Sequence, residues 1–71
     1  MVGMINIKNN IRKYRENRGI SLEKLAKELG LTRAYLSNLE NLISVPSPIL
    51  MVKISSYFNE EIGKMFYIDT R

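Results

Sequence analysis

The stretch SLEKLAKELGLTRAYLSNLE, residues 21–40, is punctuated twice in the same way. Ser21 stands where a hydroxyl can accept from the orphan N–H groups at a helix start. Behind it Leu22, Leu25, Ala26 and Leu29 recur on one helical face, Glu23 lies in the first turn near the positive end of the dipole, and Gly30 supplies the stop. Thr32 then caps a second helix, with Leu36 and Leu39 inward and three apart, and Arg33, Ala34, Ser37, Asn38 and Asn41 around the outer face. Leu25, Ala26, Gly30, Leu36 and Leu39 fit two helices crossing at a tight turn. Ala26 is small at the crossing, Gly30 takes the turn, and the leucines fill the wedge. Leu and Ala faces separated by Gly turns also occur in any small helical bundle, so the spacing alone leaves a plain bundle open.

Upstream, Ile11 and Tyr14 predict a helix over about residues 10–18, ending where Gly19 can adopt the left-handed conformation. Downstream, a loop containing Pro46 leads to a fourth helix, capped by Ser47. Pro48 takes its first position, where a missing N–H is harmless, and Met51, Ile54 and Phe58 face the core. Asn59 is expected to start a fifth helix, about one turn long. The two ends, residues 4–7 and 66–68, are short and rich in Ile, Phe and Tyr, which predicts strands. Each is too short to stand alone, which favours an antiparallel pair between them. The expected fold is all-α: one five-helix domain over residues 1–71, closed by a small two-stranded antiparallel sheet.

With 71 residues and 8.2 kDa, the chain is expected to form a single domain without a separate ligand-binding unit. Its 45% hydrophobic and 25% charged residues are those of a globular protein. A chain this short buries a small share of its surface and usually needs a staple. The sequence has no cysteine and no histidine, which removes disulfides, the usual zinc ligands, the commonest general base and every Ser-His or Cys-His arrangement. Oligomerisation is the staple that remains, and no enzyme, cofactor or metal site is expected. Glu60 and Glu61, the closest acidic pair, point in different directions on a helix. The longest apolar stretch of the second half, residues 49–52, is far short of the ~20 residues that span a bilayer. Residues 1–8 lack the basic region and hydrophobic core of a secretory signal. A cytoplasmic protein without membrane contact is expected. Residues 1–3 read either as native or as an extension ahead of a start at Met4.

Charge gives the first positive indication of a partner. The net charge is +4 with an isoelectric point near 9.6, and it is concentrated. Residues 8–33 carry eight basic side chains against Glu16, Glu23 and Glu28, whereas the rest of the chain from Ala34 is slightly acidic. A polyanion would be met by the first half, leaving the second for packing or assembly.

At these residues the sequence resembles the Cro/cI (XRE) helix-turn-helix family, with residues 21–40 similar to its DNA-binding unit. IRKYRENRGI (11–20) resembles the family's first helix, and PSPILMVKISSYFNEEIGKMF (46–66) resembles its proline-containing loop and last two helices. The flanks MINIKN (4–9) and MFYIDTR (65–71) are similar to those of very short stand-alone repressors, whose ends pair as strands beside the dimer contact. The resemblance implies a helix-turn-helix over about 21–41 and double-stranded DNA as the partner. It makes the helix from Arg33 to Asn41 the recognition helix, whose N-terminal part reads the major groove through Arg33, Ala34, Ser37 and Asn38. Arg33 suits guanine O6 and N7, Asn38 suits adenine N6 and N7, and Ala34 suits a thymine methyl. It implies phosphate contacts from Ser21, Thr32, the Tyr35 hydroxyl and Arg15, with Tyr35 otherwise packing against the second helix. Arg15 and Glu40 match the family's ion pair between the first helix and the recognition helix, which would fix the helix angle.

Two departures stand out. Leu22 occupies a position where the family frequently has a Gln touching the DNA backbone. Asn-Leu-Ile-Ser-Val-Pro at 41–46 replaces the usual Asn-Gly and basic residues. Either the stretch Leu42 to Val45 is exposed as a protein contact, or the recognition helix runs a turn longer and buries Leu42. For assembly, Met65, Phe66, Tyr67 and Ile68 are consecutive and alternate faces in a strand. One pair can close the core while the other, with Ile5 or Ile7 alongside, meets a symmetry mate; the alternative is a frayed end. The expected function is a sequence-specific transcriptional regulator, a homodimeric repressor on a palindromic operator; the rival is an antitoxin or adaptor working through protein contacts.

Overall fold

The computed structural model describes residues 7–68. β1 (Ile7–Asn9) leads into α1 (Ile11–Asn17), α2 (Leu22–Leu29), α3 (Arg33–Glu40), α4 (Pro48–Tyr57), α5 (Ile62–Met65) and β2 (Phe66–Ile68). All five expected helices are present, with the antiparallel pair between the two ends of the described chain.

Three of the helices start as their hydroxyl residues require. The Ser21, Thr32 and Ser47 side chains accept from the N–H groups of Lys24, Tyr35 and Leu50 at 3.0, 3.0 and 3.2 Å. Each such cap contributes about 1 kcal/mol. The stops are also alike. After α1, α2, α3 and α4 the chain passes through a left-handed residue, respectively Gly19, Gly30, Leu42 and Asn59. At each one a paired set of N–H groups closes back on the last turn: Ile20 on the Arg15 carbonyl, Leu31 on Ala26, Ile43 on Asn38 and Glu60 on Ser55. Glycine takes this conformation freely and asparagine tolerates it, whereas a leucine pays a steric penalty of about 1 kcal/mol or more.

The stops correct one expectation and decide between two alternatives. Asn59 (φ 54°) does not start the fifth helix; it terminates α4, and α5 begins only after Glu61. Nor does the third helix run on to bury Leu42: α3 ends at Glu40, and Leu42, Ile43 and Val45 are exposed. The N-terminal strand runs past its expected end at residue 7. Among the described residues it covers Ile7–Asn9, with Asn9 paired to Phe66, Lys8 to Tyr67 and Ile7 to Ile68. Ladder pairing uses the backbone and so accepts polar residues that composition does not flag. Met4, Ile5 and Asn6 lie outside the described residues.

The core consists of Ile11, Leu25, Ala26, Leu29, Leu36, Leu39, Ile54, Phe58, Met65 and Phe66. Tyr14, Leu22 and Met51, expected inward, are half-buried at its edge. Ala26 is buried on α2, which packs against α3, and these two helices form the helix-turn-helix. Among the described residues no helix is long and apolar enough to cross a membrane, and no group of acidic residues could hold a metal ion.

Candidate nucleic-acid interface

The outer face of α3 begins free and ends tied down. Arg33 and Ala34 are exposed, and Arg33 makes no hydrogen bond or ion pair within the described residues. Ser37 and Asn38 are half-buried. The Ser37 hydroxyl accepts from Asn41 Nδ2 at 3.3 Å, which leaves its proton to donate outward. The Asn38 carbonyl is used by Ile43 and Ser44, whereas its side-chain amide makes no bond within the described residues. The four residues expected to read bases therefore fall on adjacent turns of one helix.

The expected phosphate contacts divide. Ser21 and Thr32 are exposed N-caps, and a hydroxyl that accepts an N–H keeps a proton for a phosphate oxygen. Tyr35 is half-buried and packs against the core. Arg15 is directed inward. Its Nε and Nη2 donate to Glu40 at 2.7 and 3.1 Å, and its Nη1 donates to the Ile20 carbonyl at 3.0 Å. The Glu40 side chain is 1% exposed and that of Arg15 is 13% exposed. The hydrogen bond to Glu40 raises the Arg15 pKa above its usual value, against the opposing effect of burial. A buried, doubly bonded pair of this kind specifies orientation more than it adds stability.

Sequence reasoning missed two further ties. Arg12 Nε donates to Glu40 Oε1 at 3.2 Å and its Nη2 to Asn41 Oδ1 at 2.7 Å. Asn9 Nδ2 donates to the Leu39 carbonyl at 2.9 Å. Arg12 lies three residues before Arg15 and so shares its helical face, a signal that was available. Asn9 gave none, since its partner lies thirty residues away in the chain.

Of the residues expected at a dimer contact, Met65 and Phe66 are buried in the protomer's own core, Ile7 is half-buried, and Tyr67 and Ile68 are exposed. Ile5 lies outside the described residues. Ile7, Met51, Ile62, Phe66, Tyr67 and Ile68 together line a shallow apolar groove. Leu42, Ile43 and Val45 in the loop are also exposed, as are Ile49, 83% exposed, and Val52 on α4.

A capped α2, a left-handed turn at Gly30 and a crossing α3 with a free outer face define a helix-turn-helix protein. A helix-turn-helix family model matches residues 11–64. Over 71 aligned positions the sequence is 34% identical to the HTH-type transcriptional regulator SlrR of Bacillus subtilis, covering 99% of this chain and 43% of SlrR. It is 32% identical over 63 residues to the uncharacterised HTH-type transcriptional regulator YgzD of the same organism, covering 89% of this chain and 96% of YgzD. Against the B. subtilis regulator SinR it is 39% identical over 51 residues, 70% of this chain and 46% of SinR. The chain thus spans under half of SlrR and SinR and nearly all of YgzD. A crystal structure of a Bacteroides fragilis protein, proposed to bind DNA, shares the fold with a TM-score of 0.76 at 20% identity, covering 84% of this chain and 97% of that one. The chain belongs to the Cro/cI (XRE) helix-turn-helix family, a family of DNA-binding transcriptional regulators.

Proposed function

We propose that the protein binds DNA sequence-specifically and regulates transcription as a homodimeric repressor on a palindromic operator. The observation that carries this reading is the outer face of α3. Arg33 and Ala34 are exposed, and Ser37 and Asn38 half-buried, on a helix whose far end is fixed. Such a helix can enter the major groove and present a bidentate Arg and Asn to base edges. Ser21 and Thr32, and the exposed Lys24 and Lys27 of α2, supply sequence-independent attraction to phosphates. Occupying an operator is enough to block polymerase, so repression needs only these parts.

Tyr67 and Ile68 at the edge of the apolar groove support dimerisation through the terminal sheet. A two-fold axis there would present two recognition helices to half-sites about one helical turn, ~34 Å, apart. Replacing Tyr67 and Ile68 with charged residues is expected to give a folded monomer by sedimentation and circular dichroism, with reduced operator affinity. A variant that stays dimeric would move the interface to the Leu42 to Val45 loop.

The exposed Leu42, Ile43, Val45, Ile49 and Val52 favour a second reading, an antitoxin or adaptor that holds a protein partner. Selection of bound sequences from random duplex DNA separates the two. A regulator enriches a palindrome, whereas an adaptor enriches nothing and co-purifies with a protein.

A further inference from the structure

Where β1 runs into α1, two asparagines make bonds that reach beyond both elements. Asn9 pairs with Phe66 in the sheet, and its Oδ1 accepts from the Ile11 N–H at 3.1 Å. Its Nδ2 reaches thirty residues along the chain to the Leu39 carbonyl. Asn10 fastens the same junction to α5, its N–H and Nδ2 donating to the carbonyls of Met65 and Lys64, each at 2.9 Å. Arg12 then takes Glu40 and Asn41. Three successive residues of the α3 end, Leu39, Glu40 and Asn41, are thus held from one junction beside the sheet.

Polar satisfaction does not account for these bonds. The Leu39 carbonyl already has the Leu42 N–H at 3.2 Å, and Asn41 is exposed to water. The Arg12 side chain is 51% exposed, and Glu40 is already bound twice by Arg15. What the bonds add is direction. An eight-residue helix is about 12 Å long, so a tilt of ~10° about one end moves the other by ~2 Å. Bidentate contacts to bases tolerate about 0.5 Å.

We propose that Asn9 and Arg12 are positioning residues for DNA recognition, clamping the last turn of α3 to the terminal sheet so that its reading face meets the groove at one angle. The proposal rests on α3 being the recognition helix. It makes the sheet part of the recognition machinery: whatever seats β1 also sets α3.

The test uses Asn9→Ser and Arg12→Ala. A serine can still accept from the Ile11 N–H, as short hydroxyl residues do two positions ahead, but it cannot reach Leu39. The measurement is the ratio of affinities for a duplex selected by the unaltered protein and a scrambled duplex of equal length. It is taken where circular dichroism shows full folding, with the Leu39 carbonyl carbon shift reporting loss of the bond. The ratio is expected to fall about tenfold in Asn9→Ser and less in Arg12→Ala, with scrambled-duplex affinity unchanged. A purely structural role would lower the melting temperature and leave the ratio intact. An intact ratio in Asn9→Ser with the Leu39 signature lost overturns the proposal. If Asn9→Ser fails to fold, Arg12→Ala decides: an intact ratio in that folded variant overturns the proposal. An unaltered protein that selects no sequence overturns the recognition-helix reading itself, and is recognised before any substitution is made.

Discussion

At the first turn of α3, Arg33 and Ala34 face solvent, and Arg33 has no partner among the described residues; at the last turn, Glu40 is buried under two arginines and the Leu39 carbonyl is held by Asn9. A helix that reads bases needs both conditions at once. Side chains that must meet a base have to be uncommitted, while the rod that carries them has to be immobile. The chain separates these requirements along eight residues, with polar side chains serving recognition at one end and orientation at the other.

The contrast is broken most severely at Glu40. Glu40→Ala leaves Arg15 largely buried without its partner and is expected to cost about 3 kcal/mol in denaturant unfolding. Specific DNA binding should fall with it. Next come the readers. Arg33→Ala and Asn38→Ala should each lose about 2 kcal/mol on the selected site, hold their affinity for random duplex, and unfold like the parent protein. Lys27→Ala, an exposed change on α2, should alter neither sequence preference nor stability. If both recognition-helix variants weaken selected and random DNA equally, those side chains touch only the phosphate backbone.

A smaller effect sharpens the comparison from just beyond the clamped end. Leu42 (φ 64°) occupies a left-handed stop that glycine fills after α1 and α2. Leu42→Gly is therefore expected to raise stability by about 1 kcal/mol. Gly30→Ala should lower it by a similar amount. A Cβ there meets only Lys53 Nζ at 3.8 Å, so the cost is one of backbone conformation rather than space. An unchanged midpoint for Leu42→Gly would mean that the leucine side chain offsets its own strain.

The smallest effect lies away from α3. The Tyr14 hydroxyl donates to Glu60 at 3.1 Å, and its pKa is raised above 10.0, first by loss of solvent around the phenol and then by the hydrogen bond and charge of Glu60. The folded state holds this proton more tightly than the unfolded chain does. The stabilisation is therefore complete below pH ~10 and is lost as pH rises through the folded pKa. Tyr14→Phe should flatten that alkaline decline in a pH series of melting temperatures; an equally steep decline in the variant would place its origin elsewhere.

Much of this was legible in the sequence because the informative residues act locally. Ser21, Thr32, Ser47, Pro48, Gly19 and Gly30 each set a helix boundary through their own chemistry, and Leu25, Leu29, Leu36 and Leu39 repeat at helical spacing. Arg15 and Glu40 were also found, through likeness to a known pattern, and are joined. What escaped depends on partners distant in sequence or on backbone conformation. Asn59 looks like a helix start, and Leu42 fits either a loop or a longer helix, until the left-handed backbone is seen. Nothing local marks Asn9, whose side chain reaches a carbonyl thirty residues on. The end of β1 was set too early because strand composition favours Ile, whereas the ladder to Phe66 is made by the backbone of an asparagine.

The central claim is that the outer face of α3 meets the bases, and amide chemical-shift mapping during titration with the selected duplex tests it most directly. The largest changes are predicted for residues 33–38 and the Asn38 side-chain amide, with smaller ones at the capped starts of α2 and α3 around Ser21 and Thr32. Shifts concentrated at Leu42, Ile43, Val45, Ile49 and Val52, with residues 33–38 unmoved, would contradict it.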